Sequence, residues 1–162
     1  MQTITGHNYG AGAFRRSDAS LRMATTVALV YCLALQIGMT VFAAELGAAF
    51  VTDEAVVFEV ARILPIMSAG FFLSGPLMML AMHFQAIGDA GRAGLLGLSK
   101  PYLFAIPLTF VLAAQVGEVG IWLAAPIAEI LLLILTGGVL MRLARARSLR
   151  WGVFQAGNEG FA

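Results

Sequence analysis

The chain has 162 residues, of which 60% are hydrophobic and 12% charged, with a formal net charge of +1. Soluble domains carry roughly 25% charged residues, so this composition, with a mean hydropathy of +0.88, excludes a water-covered globule. The basic residues form no continuous patch, which excludes a nucleic-acid partner, and the single cysteine, Cys32, excludes an intrachain disulfide.

Residues 1–13 (MQTITGHNYGAGA) are polar and Gly-rich. They lack the apolar stretch of a signal peptide and read as a loop or a helix end. Phe14 to Arg22 carries Arg15, Arg16 and Arg22 and reads as a solvated basic flank rather than an interfacial helix. Residues 1–22 are thus expected to be a cytoplasmic lead-in. Four long apolar stretches follow: Ala24 to Ala44, Ile63 to Gly88 and Pro101 to Gly117 carry no charge, and Val119 to Met141 carries only Glu129. Each has about the 17–25 residues that a helix needs to cross a bilayer. Spans are expected at about 23–45, 60–88, 95–117 and 119–141, making residues 23–145 a four-helix transmembrane region. Asp53-Glu54 suits a helix start, where the macrodipole favours acids. Gly88, Gly91, Gly94 and Gly97 recur every third residue, but so few repeats cannot make a triple helix; the segment reads as a compact turn leading into a close-packed helix. Residues 146–162 are expected to be a cytoplasmic tail, disordered beyond Trp151 and Phe154.

Charge sets the orientation. Nine of the ten Lys and Arg fall in alternate connections: Arg15, Arg16 and Arg22 before the first span, Arg92 and Lys100 between the second and third, and Arg142, Arg145, Arg147 and Arg150 after the fourth. The other connections hold Glu45, Asp53, Glu54, Glu59 and Glu118 against Arg62. Basic loops stay cytoplasmic, so an all-α integral membrane protein with four transmembrane helices and both termini inside is expected, with the lipid bilayer as its first partner.

Pro76, Pro107 and Pro126 free the carbonyls of Phe72, Leu103 and Trp122 from helical bonding. In lipid those groups need partners, which favours a packed bundle. Ser68, Gly70, Ser74 and Gly75 form a small-residue pattern that permits close helix contact.

Glu129 is the main chemical candidate. It lies about ten residues from either end of its span, and an ionised acid at that depth costs about 2.5–3.5 kcal/mol on insertion scales. It must bind a proton or face a polar cavity with a partner, which makes it a candidate proton or cation site. Pro126, one turn earlier, exposes the Trp122 carbonyl on much the same face, and a carboxylate beside broken backbone is how transporters build ion sites. A structural hydrogen bond inside the bundle is the alternative. His83, at the end of the second span, is a lesser, pH-sensitive candidate. His7 and His83 have no ligand-spaced Cys or carboxylate, so no metal site is expected. Enzyme motifs fail too: Phe72 replaces the glycine that a GxSG nucleophile motif needs before Ser74, and Gly88-Asp89 has no second membrane-embedded Asp.

Four segments together resemble the multidrug and toxic compound extrusion (MATE) family. Ile4 to Gly12 (ITGHNYGAG) is similar to its "iGqNyGAg" signature, Phe84 to Gly88 (FQAIG) to its "FQAiG", and Ile106-Pro107-Leu108 to its "iPL". Gly120 to Glu129 (GIWLAAPIAE) resembles its "GiWlA.PiAd". The resemblance covers about residues 4–145 and is closest to the C-terminal half, so the four spans correspond to the last four helices of a twelve-helix transporter. It implies a multi-pass protein of the plasma (inner) membrane that exports cationic or amphipathic drugs and toxins in exchange for H+ or Na+, with no organic cofactor. It also places Glu129 at the acid of the "PiAd" motif. Lys100-Pro101 departs from a frequent Arg-Gln pair, keeping the charge. The N-terminal helices of such a transporter are missing partners, so the chain is expected to be a fragment not competent alone. The alternative is an autonomous four-helix protein serving as a structural or interaction subunit.

Overall fold

A computed structural model of the chain describes residues 1–147, and all of the regular structure there is helical. In order the elements are α1 (Gln2–Gly10), α2 (Phe14–Val41), α3 (Ala43–Phe50), α4 (Glu54–Ser68) and α5 (Phe71–Ala86). Then come α6 (Ala90–Leu98), a π-helical segment (Ser99–Ala105), α7 (Ile106–Val116) and α8 (Glu118–Arg147). Three of these stretches are long and apolar enough to cross a membrane: Phe14–Val41, Ala90–Val116 and Glu118–Arg145. The pair α4 and α5 passes the same test together but is bent by 42° at its junction. The protein is therefore a multi-pass, all-helical membrane protein.

Burial follows the logic of lipid rather than of water. On α8, Ala124, Ala128, Leu132, Thr136 and Leu143 are buried. Ile121, Ile130, Leu133, Ile134 and Met141 are exposed on the faces left for acyl chains. On α2, Val27, Val30, Tyr31 and Ile37 are exposed in the same way, while Cys32 packs inward against α5 at Gly75. A Cβ at Gly75 would lie 2.7 Å from Cys32 Sγ and 2.9 Å from the Ala28 carbonyl oxygen, so only glycine lets these helices meet so closely. One apolar cluster, Phe84, Leu96 and Leu143, ties α5, α6 and α8 together near the α5–α6 turn.

Capping residues explain several boundaries. Asp53 Oδ1 accepts the Ala55 N–H at 2.9 Å and opens α4, as its position beside Glu54 predicts. Gly88 ends α5 in the left-handed region at φ 82°. Asp89 then accepts the Arg92 N–H at 3.2 Å and opens α6, so the Gly-rich segment is a tight turn into a helix, but not a close-packed one: a Cβ at Gly91, Gly94 or Gly97 would meet nothing within 4 Å.

Four other expectations need correction. Of the two readings of the N-terminal segment, a loop or a helix end, the loop is wrong: residues 2–10 are a helix, with Thr5 fully buried. Phe14 to Arg22 is neither a separate interfacial helix nor a solvated flank; it is the first third of α2, and Ser17 and Leu21 are each 1% exposed. The second span expected over 60–88 is not one helix: α4 begins earlier, at Glu54, and the chain breaks at Ala69-Gly70, where Gly70 takes φ 86°. Pro65, inside α4, and this left-handed glycine set the break, while Pro76 sits within a continuous α5. The third span starts at Ala90 and contains the π-helical segment around Lys100-Pro101. The tail expected over 146–162 lies, from residue 148 onward, outside the described residues.

Candidate functional site

Glu129 sits on α8, eleven positions beyond Glu118, or about 16 Å along the axis at 1.5 Å per residue. It is 4% exposed. Lys100 comes from the opposite direction, ten positions beyond Ala90, or about 15 Å into its own span. Two charged residues therefore reach the middle of the bundle from antiparallel helices. Their side chains meet: Lys100 Nζ donates to Glu129 Oε1. Ser74, in the first turn of α5, donates its hydroxyl proton to the same oxygen. Lys100 Nζ also donates to Ser74 Oγ at 3.0 Å, so the three groups close a triangle. The second carboxylate oxygen, Oε2, is buried without a partner.

Local irregularities in three elements bring these groups together. The α4–α5 break puts Gly70 against α8: a Cβ there would lie 3.7 Å from Glu129 Cβ and 3.9 Å from Pro126 Cα. The N-terminal end of α5, carrying the positive end of its dipole, therefore stands beside the carboxylate. Gln36 of α2 occupies part of that end, its Oε1 accepting the Phe72 N–H at 2.9 Å. The π-helical segment widens the helix at Lys100, the kind of local insertion that recurs at functional sites. Pro126, buried one turn before Glu129, lacks the N–H that would bond the Trp122 carbonyl. Trp122 Nε1 is also buried without a partner, leaving an orphan donor two turns from the orphan acceptor Oε2 on one face of α8.

The triangle forms the polar end of a cavity of about 680 Å³. Its other walls are mostly apolar, from Leu77, Met78, Met82, Leu96 and Leu132, with Gln85 toward the α5–α6 turn. That volume falls within the range of small-molecule sites, and an apolar enclosure with a few convergent polar groups is their usual form. Met78 and Met82 add flexible, polarizable surface suited to varied shapes. Among the described residues no group of three or more His, Cys, Asp or Glu is placed to hold a metal ion.

Of the sequence candidates, Glu129 and Pro126 stand together on α8 at the α4–α5 break. His83 is not brought to them. It lies nine positions along α5 from Ser74, about 13 Å, is 3% exposed, and packs edge-on against Phe84 at 5.9 Å. Its Nδ1 has no partner, and it does not line the cavity. Lys100, Ser74 and Gln36 are site residues that the sequence pattern does not single out. The charge pattern groups Lys100 with the cytoplasmic connection, although its span contains it. Ser74 presents itself only as a small packing residue. Gln36 had a signal of its own, as the one side-chain amide in the first uncharged stretch.

The MatE family model matches residues 1–111. That segment includes Ser74 and Lys100 and ends before Glu129. No curated protein and no solved structure matches the chain.

Proposed function

The chain belongs to the MatE family, and from that premise we propose that it forms part of a multidrug efflux antiporter, with Glu129 as its ion-coupling carboxylate. In this reading the exported compounds are cationic or amphipathic and the driving ion is H+ or Na+. The chain spans the plasma (inner) membrane four times, α4 and α5 counting as one bent crossing, with both termini cytoplasmic. Further helices of the transporter close the open side of the cavity.

One observation supports the coupling role above all. A carboxylate buried at mid-span keeps one oxygen bound to Ser74 and Lys100 and the other free, at the polar end of a largely apolar cavity. With Glu129 ionised, the Lys100–Glu129 pair is close to neutral, and a cationic head group can lie at the polar end of the cavity while its apolar body lies against Leu77, Met82 and Leu132. A driving cation on Oε2 leaves the pair with a net positive charge, which repels the head group. Two unit charges about 4 Å apart interact by about 4 kcal/mol at an effective dielectric near 20. Coupling between sites in proteins is usually about 1–3 kcal/mol, so this effect alone is large enough to link ion entry to drug release. Pro126 contributes by freeing the Trp122 carbonyl from its helical bond one turn before Glu129.

The test is Glu129→Gln in the complete transporter that contains this chain, scored by drug efflux from cells and by proton movement in everted vesicles. Abolished efflux with normal membrane accumulation is expected. Resistance at the wild-type level would remove Glu129 from the mechanism.

A further inference from the structure

Glu129 Oε1 accepts from Ser74 and from Lys100 at once, and the ammonium is held a second time by Ser74 Oγ at 3.0 Å. An ammonium group and a bare monovalent metal ion want the same thing at such a place, a carboxylate oxygen with a hydroxyl oxygen beside it. Here the ammonium is covalently tethered, so its effective concentration at the site stays high whatever the ions outside. A sodium ion, which needs several oxygens around it, would have to displace Lys100 and would still lack a second acidic ligand, because Glu129 is the only acid among the residues lining the cavity. A proton needs only one lone pair, and Oε2, buried and unpartnered, offers it.

We infer that Lys100 is a tethered cation occupying the position on Glu129 and Ser74 that a coupling metal ion would take, so that the site accepts H+ and excludes Na+. This rests on Glu129 being the coupling carboxylate, and it makes Lys100 the residue that sets ion specificity. A lysine present only to neutralise a buried acid would predict nothing about sodium, so sodium dependence is the discriminating readout.

The experiment compares thermal unfolding of the purified transporter in NaCl and in choline chloride at equal ionic strength. Wild type is expected to unfold at the same temperature in both salts. Lys100→Gln opens the position, and sodium at about tenfold over its Kd should then raise Tm by on the order of 3 °C. That shift should vanish in the Lys100→Gln/Glu129→Gln double variant. Lys100→His is a second probe, since imidazole changes charge between pH 5 and 8: it should ignore sodium at pH 5.5 and respond to it at pH 8.5. A sodium-specific shift in wild type that Glu129→Gln removes would overturn the inference. So would a Lys100→His variant with the same sodium response at both pH values, a result that stands even where Lys100→Gln fails to fold. Retained coupled efflux in Glu129→Gln would instead sink the coupling role, while the sodium titrations would still report which cation occupies the carboxylate.

Discussion

At the turn between α5 and α6, Arg92 pairs with Asp89 three residues before it, and the two side chains are 34% and 23% exposed. In the middle of the bundle, Lys100 pairs with Glu129 on a different helix, and the acid side chain is 5% exposed. The first pair is built from adjacent turns of one segment, and Asp89 would cap α6 without the guanidinium, because its other oxygen accepts the Arg92 backbone N–H at 3.2 Å. Water can replace either partner there. The second pair exists only because a broken span, a π-helical segment and a long kinkable helix converge, and Glu129, at 5% exposed against 37% for Lys100, has no water shell ready to replace a missing partner. Opposite charges near the surface tune a turn; at mid-span each is a condition for the other.

Reversing the deep pair should give the largest effect. Lys100→Glu places two carboxylates against one hydroxyl, and breaking a buried pair costs about 3–5 kcal/mol. The cost belongs toward the low end of that range because Lys100 keeps 37% of its side chain exposed to the cavity. The expected result is loss of monodisperse protein in detergent, with partial recovery when Glu129→Lys is added to swap the charges. A double-mutant cycle with no coupling energy would break the contrast with the surface pair.

A second prediction moves one residue from the triangle, from charge to packing. Gly75→Val would put its Cβ 2.7 Å from Cys32 Sγ and force α2 away from α5, at a cost of about 1–3 kcal/mol for overpacking. Because Ser74 precedes it, efflux should fall further than stability alone explains. Gly75→Val with wild-type melting would mean that the α2–α5 contact is looser than its geometry implies.

These two sites also mark where the sequence was legible. Glu129 could be found from depth alone, because an acid ten residues inside an apolar run is expensive wherever it points. The small residue at Gly75 advertised close packing, whereas nothing in the pattern marked the hydroxyl of Ser74 as a partner for Glu129 and Lys100. Lys100 was hidden because charge counting groups it with Arg92 in a basic connection, although its span starts at Ala90 and carries it about 15 Å into the bundle. The break at Ala69-Gly70 was hidden because hydropathy continues through it. Only the left-handed conformation of Gly70, with Pro65 a turn before, divides the apolar run into two helices. The burial of Ser17 and Leu21 escaped because it depends on α1 and α5 packing across α2, a tertiary effect that no local pattern encodes.

Asp89→Ala tests the shallow pair in isolation. It removes the side-chain cap of α6 and the Arg92 partner together, and a lost cap costs typically about 1 kcal/mol. Tm should fall by a few degrees with efflux retained once expression is matched. A loss of efflux as deep as that of Glu129→Gln would mean that the α5–α6 turn is part of the conformational cycle rather than a passive connector.

The smallest effect is expected at Arg62, midway along α4 and beside Glu118 at the start of α8, away from the α5–α6 turn. Its guanidinium donates to Glu59 at 2.7 Å and lies 3.9 Å from Glu118, with Arg62 and Glu59 both 48% exposed and Glu118 63% exposed. Exposed pairs contribute about 0–1 kcal/mol and are screened by salt, so Arg62→Ala should change stability by no more than about 0.5 kcal/mol, and by less still in high salt. This variant calibrates the other two pairs. Arg62 has two acidic neighbours where Lys100 has one, so counting charges alone ranks it as the stronger contact. Should Arg62→Ala destabilise as much as Lys100→Glu, the number of opposite charges would matter more than their depth. The ranking from mid-span to turn to surface would then have to be rebuilt on contact number instead of burial.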